Sequence, residues 1–97
     1  MIPIICQEEL GVEDAVKLDK QKFLIHSDGV VSQLIYAVRK HIVGLRSSEG
    51  IFLFLTSRDG SRVLLSNNNL LGQLDAEYQD TEDGFIYITV AKEHVFG

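Results

Sequence analysis

The chain has 97 residues, 45% of them hydrophobic and 24% charged, a balance that supports one core. A formal net charge of −5 excludes a general nucleic-acid binder, which needs a basic stripe to displace phosphate counterions. No apolar run approaches the length of about 18 residues needed to span a bilayer. Met1-Ile2-Pro3-Ile4-Ile5-Cys6 is too short for a signal peptide and lacks its basic leader, so a soluble, intracellular protein is expected.

Ile2 to Cys6 and Lys22 to His26 are short β-prone runs and predict two strands, joined by the acidic, irregular stretch Glu8 to Asp14. Cys6, the one cysteine, has no partner for an internal disulfide and is expected to be a small buried thiol. After Ser27-Asp28-Gly29, which supplies turn and N-cap chemistry, apolar residues recur at Val31, Leu34, Ile35, Val38, Ile42 and Leu45, the spacing of one helix face. Arg39, Lys40 and His41 suit the negative end of that helix, and Gly44 can terminate it.

Ile51 to Thr56 is a continuous apolar run and predicts a central strand buried on both faces. Asp59-Gly60 then predicts a tight turn into a partner strand at Arg62 to Leu65. Asn67-Asn68-Asn69 offers caps for a short helix carrying Leu71, Leu74 and Tyr78 on one face. The turn Asp80 to Gly84 leads into a last strand, Phe85 to Val90, followed by a thin flexible tail over about 92–97. The order predicts a single α+β domain over residues 1–97. Its architecture is a ubiquitin-like β-grasp, with a mixed sheet of four to five strands on one main helix and a short second helix.

Catalytic constellations are missing from the pattern. His26, His41 and His94 have no ligand-type spacing to one another or to Cys6, so no metal is expected. No Gly-rich phosphate loop or Gly-x-Ser-x-Gly elbow occurs, and no catalytic residue or cofactor is assigned.

Five strings in fixed order carry more than the element order does. They are Ile2-Pro3-Ile4-Ile5-Cys6, Leu18 to Leu24, Gln33 to Lys40, Glu82 to Thr89 and the final Phe96-Gly97. Together they resemble the autophagy-related protein eight family, which includes the GABARAP-type modifiers. The resemblance implies a non-enzymatic ubiquitin-like modifier, processed by a cysteine protease. An E1-like enzyme would activate the Gly97 carboxylate with ATP, and an E2-like enzyme would pass it to phosphatidylethanolamine, with Phe96 read as part of the tail. The protein would be cytoplasmic when free and held on the autophagosomal membrane when lipidated.

The same resemblance implies capture of receptors with aromatic-x-x-aliphatic motifs by strand addition. Pro3, Ile5, Lys22, Leu24 and Phe85 would line an aromatic pocket, and Phe23, Ile25, Leu34 and Ala37 an aliphatic one. Lys20, Lys22 and Arg39 would meet acidic residues beside the motif, although on pattern alone ordinary core packing is the favoured account of Ile5 and Leu34. Strand alternation supports the division, because Lys22 and Leu24 point opposite to Phe23 and Ile25.

The sequence departs from the family pattern at several points. The Ile-Pro strand starts at Ile2 without the two short helices that precede it in the family. His26 and Gly29 stand where proline and leucine are usual, Ala37 replaces a larger aliphatic residue, and His41 replaces an arginine. The second pocket is therefore expected to be more polar or shallower, and the stretch from Thr56 to Asn69 is longer than the family loop. The alternative readings are the sibling autophagy modifier, number twelve in the nomenclature, which is joined to a protein lysine, and a β-grasp sulfur carrier. Sulfur carriers end in Gly-Gly rather than Phe-Gly.

Overall fold

In the computed structural model, residues 1–11, 13–56, 60–80 and 82–93 are described. Among these residues seven elements follow in chain order: β1 (Ile2–Glu8), β2 (Lys22–Ile25), α1 (Val31–Arg39), β3 (Ile51–Thr56), β4 (Arg62–Leu64), α2 (Leu71–Tyr78) and β5 (Ile86–Lys92). The strands form one sheet in the order β2-β1-β5-β3-β4. β1 and β5 run parallel, while β1 with β2, β3 with β5 and β3 with β4 run antiparallel. This mixed five-stranded sheet with two helices is the α+β ubiquitin-like β-grasp that the element order predicts.

Alternation along the strands decides which residues make the core. Ile2, Ile4 and Cys6 of β1, Phe23 of β2, Leu53 and Leu55 of β3, and Ile86, Ile88 and Val90 of β5 are all buried. They pack with Val31, Leu34 and Val38 of α1 and with Leu71 and Leu74 of α2 in one cluster. Burying each such side chain contributes about 1.5–3 kcal/mol, which is what holds the helices to the sheet.

Several local expectations are corrected. β3 is not buried on both faces, since Ile51, Leu53 and Leu55 point inward while Phe52 is exposed and Phe54 half-buried. It is also not the central strand; β5 occupies that place, between β1 and β3. An uninterrupted apolar run hides the period-two exposure because phenylalanine fills the outward positions.

The main helix ends at Arg39, so Ile42 and Leu45 are not on it. The backbone past its end pairs with the segment before β2: the Asp19 amide donates to the His41 carbonyl at 2.9 Å and the Val43 amide to the Lys17 carbonyl at 2.8 Å. Leu18 and Ile42 form the bridge between these segments, so the apolar period continues after helical geometry has stopped. Gly44 does turn the chain, at φ 76°.

The caps differ as well. Val30 is the N-cap of α1, and its amide donates to Oε1 of Gln33 at 2.9 Å. Valine has no acceptor, so only the returning half of a capping box exists. The asparagines do not cap α2, whose N-cap is Leu70. Instead the carbonyls of Asn69 and Asn67 accept from Val31 and Ser32 at 3.0 Å each, satisfying the first free amides of α1. Lys92 is the last residue of β5, in register with Ile51, and its Nζ lies 3.3 Å from Asp14 and 3.8 Å from Glu49, while most of the tail expected over about 92–97 lies outside the described residues.

Candidate functional site

β2 lies at one edge of the sheet and pairs only with β1 among the described residues. The opposite edge of β2 therefore offers unpaired backbone groups to an added strand. Pro3 stands opposite Leu24 and Ile5 opposite Lys22, so these four residues share the outer face of the sheet. Leu24 is 57% exposed, while Pro3 and Ile5 are half-buried.

Phe85 comes from the turn before β5 and reaches the same face, one residue before the inward-pointing Ile86. The turn is built to hold it. The Asp80 amide donates to the Phe85 carbonyl at 2.9 Å, Gly84 takes φ 76°, and the Phe85 amide donates to the Asp83 carboxylate at 2.9 Å. The Tyr87 hydroxyl also donates to Asp83. That bond, then the Phe85 amide, holds the Asp83 carboxyl below its usual range, and the same bond raises the Tyr87 phenol. Lys22 closes the arrangement, with Nζ 5.2 Å from the centre of the Phe85 ring. Pro3, Ile5, Lys22, Leu24 and Phe85 are thus brought to one apolar surface rimmed by an ammonium group.

The second set is placed differently. Leu34 is 0% exposed and Phe23 is buried, so both are core residues and give little surface to a ligand. Ile25 and Ala37 are half-buried against that core. The hollow beyond the end of β2, of about 280 Å³, is lined by His26, Asp28, Gly29 and Gln33. Gln33 is the residue that sequence reasoning missed here. Its signal was a Gln three residues after the N-cap position, masked by a valine where serine or threonine marks a capping box.

Lys20 and His41 both stand at Phe23: Lys20 Nζ lies 5.2 Å from the ring centre, and the His41 ring meets it edge-on at 5.7 Å. His41 Nδ1 is 2.8 Å from Asp19 Oδ1. Arg39 is corrected. Its guanidinium donates to the carbonyls of Glu49 at 2.6 Å and Arg46 at 3.2 Å, so it braces the loop between α1 and β3 and its donors are engaged there. Phe96 and Gly97, the expected tail and conjugation residues, lie outside the described residues.

A larger hollow of about 530 Å³ lies away from this edge, between the end of α2 and Tyr87. Its side chains include Glu77, Tyr78 and Asp80 but no nucleophile paired with a base. The Cys6 thiol, buried in the core, is pushed up to about 12 by desolvation and is not a nucleophile at neutral pH. Among the described residues, no group of three His, Cys, Asp or Glu side chains is placed to hold a metal ion. The arrangement is equipped for strand addition with side-chain anchoring.

Comparison with known proteins agrees in fold and extent. A family model described as "Autophagy protein Atg8 ubiquitin like" matches residues 1–97. Autophagy-related protein 8 of Pichia angusta is 38% identical over 96 residues, covering 99% of this chain and 70% of that protein. The proteins of the same name from Neosartorya fischeri and Aspergillus niger are also 38% identical over 96 residues, with 75% of each covered. The chain belongs to the Atg8 family of ubiquitin-like autophagy proteins.

Proposed function

We propose that this autophagy modifier acts as a lipid-conjugated adaptor, attached through Gly97 to phosphatidylethanolamine and recruiting receptors along the β2 edge. The family match over residues 1–97, which includes Phe96-Gly97, carries the reading. The chemistry is acyl transfer. An E1-like enzyme uses ATP to convert the Gly97 carboxylate into a thioester, which passes to an E2-like cysteine. The lipid amine then attacks the carbonyl carbon, the thiolate leaves, and an amide forms. A glycine at this point offers no side chain to a narrow activating or cleaving site, and a cysteine protease would expose it if a precursor extends further.

No described helix is long and apolar enough to cross a membrane. In this reading the two acyl chains of the conjugated lipid supply stable anchoring, and the free protein is cytoplasmic until conjugation carries it to the autophagosomal membrane. The exposed Leu24 and the Lys22–Phe85 pair support receptor binding, with an aromatic residue of the added strand seated on the outer face. Incubation with matched E1-like and E2-like enzymes, ATP and phosphatidylethanolamine liposomes should yield a lipidated species. Failure of that product, or undiminished product from Gly97→Ala, contradicts the proposal.

A further inference from the structure

The turn from β2 into α1 contains a glycine that backbone geometry does not require. Gly29 is not among the residues with positive φ, yet a Cβ placed there would lie 2.7 Å from Gln33 Oε1 and 3.1 Å from the His26 carbonyl oxygen. The absent side chain makes room. Gln33 folds back through that space, where its Oε1 accepts the Val30 amide at 2.9 Å, and the Gly29 amide donates to the His26 carbonyl at 3.0 Å. The result is the hollow of about 280 Å³ lined by the mostly polar set His26, Asp28, Gly29 and Gln33, with the Ile25 Cγ2 methyl at its border, 3.6 Å from where a Gly29 Cβ would lie.

Strand geometry puts this hollow within reach of a docked peptide. A peptide added parallel to β2, with an aromatic residue beside Lys22, advances about 10 Å toward the Ile25 end over the next three residues. That is the distance from Lys22 to Ile25, the last residue of β2, next to which the hollow opens. Because side chains alternate, a residue three positions after the anchor points to the other face, the side on which α1 and Gln33 lie. The outer face receives the anchor and the hollow receives the later side chain.

We propose that this hollow is the second anchor subsite of the β2 edge and that it takes a carboxamide, glutamine or asparagine, three residues after the aromatic anchor. The inference rests on the docking role proposed above and specifies its partner. With Oε1 engaged by Val30, the remaining polar atom of the Gln33 side chain is its amide nitrogen, a donor, while the Asp28 carboxylate is an acceptor only. A carboxamide supplies one acceptor and two donors and matches both. Leucine would desolvate both groups and give neither a partner. A guanidinium or ammonium would serve Asp28 but has no acceptor for Gln33.

The test uses the 97-residue chain and three twelve-residue peptides, identical except for Leu, Gln or Arg three positions after a tryptophan. Fluorescence anisotropy should show the Gln peptide binding about fivefold more tightly than the Leu peptide, the effect of about one net hydrogen bond. Asp28→Ala, an exposed substitution, should bring the two within about twofold without moving the melting temperature. Equal or tighter binding of Leu or Arg, or a Gln preference that survives Asp28→Ala, overturns the subsite. Replacing the tryptophan by alanine separates the two levels. If tryptophan-dependent binding persists while Leu wins, only the subsite fails; if tryptophan makes no difference or no peptide binds, the docking edge fails with it.

Discussion

Lys22 Nζ stands 5.2 Å from the centre of the Phe85 ring, joining the edge strand β2 to the turn before the central strand β5. The contact spans β1, whose Ile5 is in register with Lys22, and completes the outward surface that includes Leu24. A docked aromatic ring would lie among these groups, gaining apolar burial and the ammonium at its rim. Leu24→Ala should weaken binding of a tryptophan-anchored peptide by about tenfold, because exposed apolar anchors at a docking site carry binding energy. Its effect on stability should stay within about 0.5 kcal/mol. Calorimetric titration beside urea unfolding checks both, and a variant that loses stability but keeps affinity contradicts the assignment.

Leu34 should behave in the opposite way. It is fully buried where α1 meets the sheet, so Leu34→Ala removes packing that the surroundings only partly refill. A loss of about 2–5 kcal/mol is expected in denaturant unfolding. A loss below about 1 kcal/mol would instead mark Leu34 as a pocket residue with little role in the core.

Much of this division was legible in the sequence, and the limits have physical causes. Period-two alternation correctly set Lys22 and Leu24 against Phe23 and Ile25. The helical period placed Val31, Leu34 and Val38 in the core but ran past Arg39, because Ile42 is apolar for a different reason, its bridge to Leu18. Arg39 looked available as a positive contact; only the tertiary path of residues 46–49 shows its donors engaged by carbonyls. His26 and Gly29 led to the expectation of a more polar or shallower second pocket, and both residues line the hollow beyond β2, whereas Gln33 folding into the space left by Gly29 was not expected.

That packing makes its own prediction. Gly29→Leu should displace Gln33 from the Val30 amide and cost about 1 kcal/mol, the usual value of a helix cap. In a Gln33→Ala background, where the cap is already lost, the same substitution should cost less. A double-mutant cycle measures the coupling, and strictly additive costs would show that the two residues do not share the space.

Cys6 gives a pH dependence of defined sign. Burial pushes its thiol from 9.0 up to about 12, so between these values the unfolded chain has released the proton while the folded chain keeps it. The folded state then binds more protons, and this contribution to stability is lost as pH rises, at up to about 1.4 kcal/mol per pH unit. Urea unfolding at several pH values above 9.0 should show a steeper decline for the native chain than for Cys6→Ala. Equal slopes would mean that the thiol is not protected by the core.

The most direct test of the modifier account is the intact mass of the protein after incubation with matched E1-like and E2-like enzymes, ATP and phosphatidylethanolamine liposomes. The account predicts a gain equal to the lipid less one water, absent from Gly97→Ala. A protein-sized adduct on a lysine, an exchange of sulfur for oxygen at the terminus, or an unchanged mass would contradict it.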